Sequence, residues 1–243
     1  MATFSDGPIA SFAGTVTMTV VASGANQIFS AAAEFVPDAD AGTCGDDCCY
    51  ASANGATASA SYNAGEITLQ DGTPTIGILS FSDQAYALST SPSILRWQGG
   101  DTLGVSAFGN VVLPFSAVVT APSAILGLNP SLADGPVSIS ASSSWTLSWT
   151  PDSLNLKADD WESESMRVVL SESDVGQVVC NVTDSAGTLT IPVALLGDLK
   201  IDDTASIAVD RRITSSVSDI ASNPTVTTEL SAVATLNGTA TLK

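Results

Sequence analysis

Residues 178–199 read VVCNVTDSAGTLTIPVALLGDL, and this stretch decides the fold class. Val178, Cys180 and Val182 fall on one face of an extended chain, which is the period-two pattern of a half-buried strand. The DSAG that follows favours a turn, because an Asp side chain can bond its own backbone and a Gly can adopt positive φ. A second short strand runs into Pro192, a natural first residue for one or two helical turns. The stretch therefore predicts two strands, a tight turn and a very short helix.

Similar short segments recur along most of the chain. Between residues 66 and 119 apolar segments alternate with turns that contain Gly or Asp at intervals of roughly 8–12 residues, which is typical of a sandwich or barrel. Three prolines and little periodicity mark residues 120–136 as a boundary. We therefore predict an all-β fold of two immunoglobulin-like antiparallel β-sandwich domains with at most one or two short helical turns. The domains are 1–124, with a Cys/Asp-rich loop at 37–50, and 125–243.

Individual positions give further expectations about the fold. Residues 225–242 are expected to close the chain as a hairpin or bulged strand at Asn237-Gly238. Three tryptophans, Trp97, Trp145 and Trp149, are expected in the core. The adjacent Arg211 and Arg212 lie in a strand pattern, and we expect both to point outward toward an acidic surface.

The charge balance excludes several functions. The chain has 25 acidic against 7 basic residues, and its net charge of −18 repels phosphate and anionic lipid. We expect no nucleic-acid partner, and without an apolar run of about 18 residues we expect no membrane insertion. The chain contains no histidine, which removes Ser-His-Asp and Cys-His catalysis and His-ligated zinc. An enzyme built on this chain would depend on carboxylates or on Lys, Tyr and Ser.

Four cysteines, Cys44, Cys48, Cys49 and Cys180, lie in polar surroundings that favour disulfides over a metal or redox site. Cys180 shares its predicted face with apolar neighbours and should point into the core. We expect Cys44 to pair with Cys48 or Cys49, and the remaining cysteine either to be free or to reach Cys180, since a bond between adjacent cysteines is uncommon. The Cys-x₃-Cys-Cys spacing also suits a thiophilic metal, although no fourth ligand is visible nearby.

The segment 37–50 also concentrates aspartates. Asp38 and Asp40 alternate before a Gly, as in a calcium loop, but the third oxygen and the closing Glu of that motif are missing. Asp46 and Asp47 could complete a looser cage if a disulfide folds the loop back. Two interpretations stay open, a calcium site or a solvated acidic loop.

A second acidic segment surrounds Trp161. Asp159, Asp160, Glu162 and Glu164 flank this tryptophan within a predicted loop at 152–164. One interpretation is that Trp161 folds back over the end of the sandwich. The other is a ligand site, in which an aromatic ring stacks on a sugar and the acids accept hydrogen bonds from its hydroxyls.

Several segments resemble motifs shared by a group of secreted bacterial all-β proteins with no assigned function. They are TC at 43–44, WQGGDTL at 97–103, PFS at 114–116, WTLSW at 145–149 and the stretch 178–199. In that group GG(E/D)TLxVSA, FSGxVxAP, (L/V)TVTW and VxCTxxDxAGxxTIPAxLL occur in the same order, and the resemblance covers roughly residues 40–215. It implies an immunoglobulin-like architecture and carries over no catalytic residue. The chain departs from the group at Cys48-Cys49 and in the loop 152–164.

These observations predict a non-enzymatic structural, adhesive or assembly module, secreted or displayed on a bacterial cell surface. Its first residues, MATFSDGP, do not form an export signal, so we expect any such signal to have been removed. The expected partners are copies of itself, other surface proteins or glycans, and calcium is the one cofactor considered. Two alternatives stay open: a carbohydrate-binding module centred on Trp161, and a glycoside hydrolase that uses Asp160 and Glu164.

Overall fold

The computed structural model describes residues 12–23, 26–37, 48–52, 61–83, 85–90, 97–154, 162–173, 175–199, 204–219 and 226–243. Nearly all of the regular structure in these ranges is extended. The only described helical elements are a 3₁₀ turn, Asp184–Ala186, and one short helix, α1, Val193–Leu196. The strands are β1 Phe12–Ser23, β2 Asn26–Pro37, β3 Cys49–Ser52, β4 Ile67–Asp71, β5 Thr75–Ser82, β6 Ala85–Thr90, β7 Thr102–Ala107, β8 Phe115–Thr120, β9 Leu126–Asn129, β10 Val137–Ile139, β11 Trp145–Thr150, β12 Glu162–Glu172, β13 Gly176–Thr183, β14 Thr188–Ile191, β15 Thr204–Asp219 and β16 Val226–Leu242.

The strands form three sheets. The largest has eight strands in the order β2-β1-β16-β15-β12-β13-β3, with β10 also paired to β16. A five-stranded sheet has the order β6-β5-β4-β7-β8, and a three-stranded sheet has the order β14-β11-β9. The described pairings are antiparallel except that β1 and β10 both run parallel to β16. The predicted all-β sandwich class, with very little helix, is confirmed.

Both smaller sheets pack on the same face of the eight-stranded sheet and create two apolar cores. The first core joins β1, β2 and the five-stranded sheet, and it includes Trp97. The second joins β12, β13 and the three-stranded sheet, and it includes Trp145 and Trp149. All three tryptophans are therefore buried, as the sequence predicts.

The long strands β15 and β16 contribute to both cores. Ile213 and Leu230 lie in the first core, whereas Val209 and Leu242 lie in the second. Among the buried core residues outside β15 and β16 the change from one core to the other falls between Ala121 and Ile125, although Cys48 and Tyr50 pack against the second core and Leu154 against the first. The division into domains 1–124 and 125–243 stays a prediction, since one sheet serves both cores.

The predicted hairpin or bulge at Asn237-Gly238 is wrong. β16 continues through both residues, which pair in unbroken register with Ala208 and Ile207 of β15. The glycine serves packing instead, because a Cβ on Gly238 would lie 2.9 Å from the Cβ of Leu132. The Asn-Gly pair therefore marks a close approach rather than a chain reversal.

A disulfide between Cys48 and Cys180 joins distant parts of the chain. The short strand β3 pairs with β13, which brings Cys48 beside Cys180 across a sequence separation of 132 residues. Cys180 is fully buried in the second core, as its strand pattern predicts. Of the two alternatives left open for the remaining cysteine, the bond to Cys180 is the observed one. Cys49 is disulfide-bonded as well, and Cys44 lies outside the described residues.

Replacing Cys48 by Ala is expected to lower the free energy of unfolding by about 2–5 kcal/mol, because the unfolded chain regains the freedom of a long loop. Urea denaturation without reductant, followed by tryptophan fluorescence, measures this change. The Cys180→Ala variant is the control, because it removes the same cross-link and also a buried side chain. A Cys48→Ala midpoint equal to that of the wild type would contradict a stabilising role for the bond.

Candidate functional site

Most of the residues predicted to bind ligands lie outside the described ranges. They are Asp38, Asp40, Asp46 and Asp47 of the calcium prediction and Asp159, Asp160 and Trp161 of the glycan prediction. Those assignments stay predictions. Within the described part of the chain, no group of three His, Cys, Asp or Glu side chains is arranged to hold a metal ion. Glu162 and Glu164 are the two predicted ligand-binding acids whose positions the structure gives.

Glu162 begins strand β12 and does not belong to the predicted loop. Its Oε1 accepts a hydrogen bond from the backbone N–H of Thr120 at 2.6 Å, and its Oε2 accepts one from the Thr120 hydroxyl at 2.9 Å. The loop prediction failed here because Glu162 and Glu164 continue the alternation of Met166 in the same strand. Glu162 thus connects the eight-stranded sheet to the edge of the five-stranded sheet.

Arg211 lies on the inner face of β15, so the prediction that it points outward is wrong. Only 1% of its surface is exposed. Inner-face residues of β15 are apolar on both sides of it, with Val209 in one core and Ile213 in the other. Arg211 therefore lies where the two cores meet, and the period of two that placed its neighbours inside places it inside too.

The guanidinium of Arg211 contacts three other segments. Its Nε donates to Oδ1 of Asp184 at 3.0 Å, and Nη2 lies 3.0 Å from the same oxygen. Nη1 donates to the carbonyl of Ala124 at 3.0 Å, and Nη2 donates to the carbonyl of Thr150 at 2.7 Å. A buried guanidinium is tolerated only when a counter-charge and hydrogen-bond acceptors replace its water. Each of its three nitrogens has such an acceptor.

Asp184 is the buried counter-charge, and the turn that carries it forms as predicted. Gly187 has φ of 65°, and its N–H donates to the carbonyl of Asp184 at 3.1 Å. The indole Nε1 of Trp149 donates to the same carbonyl at 2.9 Å. The carboxylate of Asp184, however, accepts from Arg211 and from the backbone N–H of Asp152. Its role is to pair with a distant arginine and not to bond the turn itself.

Asp152 fixes the segment that connects β8 to β9. Its Oδ2 accepts from the N–H of Ser123 at 3.0 Å, while Oδ1 accepts from the N–H groups of Ser153 and Leu154 at 2.7 and 3.3 Å. We call Asp152, Glu164, Asp184 and Arg211 the junction cluster. The cluster and its partners bring together residues 123–124, 150–154, 164, 184 and 211.

The WQGGDTL motif at 97–103 also holds the segment between β8 and β9 in place. The N–H of Gly100 donates to the carbonyl of Ala121 at 2.9 Å, and the N–H of Ala121 donates to the carbonyl of Asp101 at 2.7 Å. A Cβ on Gly99 would lie only 2.0 Å from Oγ of Ser123, so the backbone there approaches too closely for any other residue. The motif is thus a packing signal for the junction.

Glu164 contributes a carboxyl group with a raised pKa to the junction cluster. Burial raises the pKa of Glu164 to about 7, and the negative charges of Asp184 and Asp152 act in the same direction, while Arg211 opposes them. A hydrogen bond with the Asp152 side chain, which requires a proton, raises this pKa further. Oε1 of Glu164 is buried without a hydrogen-bond partner. The cluster can therefore take up or release one proton near neutral pH.

The chemistry of the cluster is that of a structural site. The Asp184 and Arg211 side chains are both 2% exposed, so a substrate cannot reach their ion pair. Glu164 has the raised pKa that general acids share, but structural ion networks produce such shifts as well. The sequence already indicated this site, because Glu164 and Arg211 each lie two positions from buried residues of the same strand and so share their face.

A polar groove of about 620 Å³ lies beside Glu162, between β8 and β15. Serine and threonine make up six of its thirteen described lining residues, including Thr102, Ser116, Ser215 and Ser216, and Glu162 is the only charged residue among the thirteen. The groove therefore offers hydrogen-bonding groups for a polar ligand. Its residue Glu162 directly follows Trp161, the aromatic residue predicted to stack on a sugar.

Comparisons with known proteins add little. No protein-family model matches the chain, and no curated protein matches its sequence. Among solved structures the chain is similar to the crystal structure of chicken CNTN1 FN1–FN3 domains, at 12% identity and a TM-score of 0.22, over 92% of this chain and 66% of that one. A similarity this low supports no inference about activity or partners. None of the described helices is long and apolar enough to cross a membrane.

Replacing Arg211 by Met is expected to cost about 3–5 kcal/mol of unfolding free energy, because Asp184 is left buried without its counter-charge. The double variant with Asp184→Asn should recover part of that loss. Chemical denaturation of the wild type, of Arg211→Met and of the double variant measures their free energies of unfolding. Arg212→Met, a change at the neighbouring position of the same strand, is the matched control and should cost less than about 1 kcal/mol. A loss for Arg211→Met no larger than that of the control would refute the assigned role.

Glu164→Gln is expected to change how stability depends on pH. The pKa of Glu164 is raised from 4.5 to about 7 in the folded protein, so the folded state holds this proton more tightly than the unfolded chain does. Its contribution is fully present below pH 4.5 and is lost as pH rises through 7. At pH 8 the glutamine variant should be more stable than the wild type by about 1–2 kcal/mol, a figure reduced for solvent screening.

The measurement for Glu164 is urea denaturation of both proteins at pH 4 and pH 8. Glu34→Gln, at an exposed carboxylate of β2, is the matched control and should shift neither midpoint appreciably. The assigned titration is wrong if Glu164→Gln changes stability equally at both pH values.

Proposed function

We propose that this chain is a non-enzymatic structural module that works outside the cytoplasm as an adhesive or assembly unit. The observation that carries the proposal is the way the two cores are joined. One continuous sheet serves both cores, and a buried, fully paired Arg211 lies between them. A flexible connection would let the two halves move independently, whereas this arrangement holds them in one orientation.

The disulfide supports the location. A bond between Cys48 and Cys180 is typical of proteins in oxidising surroundings. A secreted or cell-surface position would also suit a net charge of −18, which favours solubility and repels anionic surfaces. In this role some acids, such as Asp184, act inside the protein as structural partners, and exposed acids such as Glu34 keep the surface hydrated.

A carbohydrate-binding role is the second candidate, and the polar groove beside Glu162 favours it. The groove is lined by hydroxyl groups that can exchange hydrogen bonds with a sugar, and Trp161 precedes Glu162 in sequence. Glu162 itself is already engaged with Thr120, so in this role the hydroxyl lining would supply most of the polar contacts.

The experiment that separates these functions presents the purified chain to immobilised copies of itself and to a panel of glycans. The structural proposal predicts binding to the immobilised chain and no glycan retention that depends on Trp161. Retention that is lost in Trp161→Ala would establish the carbohydrate-binding candidate instead. Hydrolysis of a glycoside that is lost in Asp160→Asn or Glu164→Gln would overturn the non-enzymatic proposal altogether.

A further inference from the structure

The connection between β7 and β8 exposes an apolar tip. Phe108 is 76% exposed, Val111 44% and Leu113 36%, which is unusual for three large apolar residues within one short loop. The loop is nevertheless held in place, because Val112 is fully buried and the N–H groups of Val111 and Val112 both donate to the carbonyl of Asn63 at 2.8 and 3.0 Å. We call Phe108, Val111 and Leu113 the tip.

An apolar notch of about 640 Å³ lies in the edge of the eight-stranded sheet. β1 pairs with β16 as far as Leu236, and β10 pairs with it from Ala240, so neither of these strands covers β16 in between. Ile28, which is 59% exposed, lies on its rim. The apolar residues that line this notch are Val21, Ile28, Ile125, Leu128, Leu132, Ala133 and Leu236, and no residue of its described lining is charged.

The tip cannot fill the notch of its own chain. The tip is anchored on Asn63, and the N–H of the next residue back, Tyr62, donates to the carbonyl of Phe35 at 2.8 Å. Phe35 and Ile28 are seven positions apart in β2, and at about 3.3 Å per residue their Cα atoms lie about 23 Å apart along the strand. The tip and the notch therefore belong to opposite ends of the β1–β2 hairpin.

We propose that copies of this chain associate head to tail, with the tip of one copy seated in the notch of the next. This inference rests on the proposed assembly role and names its partner as a second copy. Because the tip and the notch are different surfaces, each copy keeps one of each free after the first contact. Such a contact repeats, so it produces open chains, or rings if the rotation closes, rather than two-fold dimers.

Two copies of this acidic chain can meet at the tip and the notch in spite of their net charge. Two chains that each carry a net charge of −18 repel one another, and burying an unpaired carboxylate in a contact is strongly unfavourable. The loop sequence FGNVVLP at 108–114 has no charged residue, and neither has the described lining of the notch. These two surfaces can meet without bringing acidic side chains into the contact.

Sedimentation velocity on the full chain, over a range of concentrations in salt that screens the net charge, tests this proposal. The wild type should form progressively larger species. Phe108→Ser in the tip and Ile28→Glu in the notch should each weaken the apparent association roughly tenfold or more. The matched controls are Val118→Ser, at another apolar residue that is 60% exposed, and Ala32→Glu, which adds the same charge on the same face of β2. Both controls should behave as the wild type does.

Mixing the two variants gives the sharpest result. Phe108→Ser retains a working notch and Ile28→Glu retains a working tip, so the mixture should form dimers and nothing larger. A mixture that stays monomeric contradicts the head-to-tail contact. Association of Phe108→Ser equal to that of the wild type also overturns the contact, but it leaves the assembly role standing.

Two further outcomes identify a different occupant. A wild-type chain that stays monomeric throughout, and does not bind immobilised copies, overturns the assembly role and this contact together. If that monomer binds an apolar dye in a way that Ile28→Glu abolishes, the occupant of the notch is a small apolar ligand and not a second copy.

Discussion

The buried pair of Arg211 and Asp184 is the constraint on which the junction depends. A guanidinium at the inner face of a sheet is strongly destabilising unless its donors are paired. The acceptors come from the carbonyls of Ala124 and Thr150 and from the Asp184 carboxylate, which belong to three separate segments. Each of these segments must therefore reach the same point before the arginine can be buried. That requirement fixes the three-stranded sheet relative to the strands that the two cores share.

The fold class could be predicted from the sequence because it depends on local patterns. Alternation and turn residues predicted most strands, the turn at 184–187 and the helix after Pro192. What failed were positions whose role is set by distant neighbours. Asn237-Gly238 looks like a hairpin turn, but Gly238 is needed for contact with Leu132. Arg211 looks like a surface residue, although its parity in β15 already placed it with Val209 and Ile213. The parallel pairing of β1 with β16 left no local trace at all.

The candidate site was only partly predictable for the same reason. Glu162 and Glu164 were singled out as acids beside an aromatic residue, and the structure engages both in contacts within the protein. Thr120 bonds Glu162, whereas a hydrogen bond with Asp152 and the charges of Asp184 and Arg211 act on Glu164, and no spacing in the sequence connects these residues. An acid-rich chain without histidine has therefore used some of its carboxylates as internal structural partners. Carboxylates used in this way help to hold a fixed shape, and that shape presents apolar and polar surfaces.

The central claim is that the shared sheet and the junction cluster make one cooperative unit out of two cores. Differential scanning calorimetry of the oxidised chain near pH 5, where Glu164 retains its proton, tests the claim most directly. The account predicts a single transition whose calorimetric and van't Hoff enthalpies agree. Two separate transitions, or a calorimetric enthalpy about twice the van't Hoff value, would show that the cores unfold independently and would contradict it.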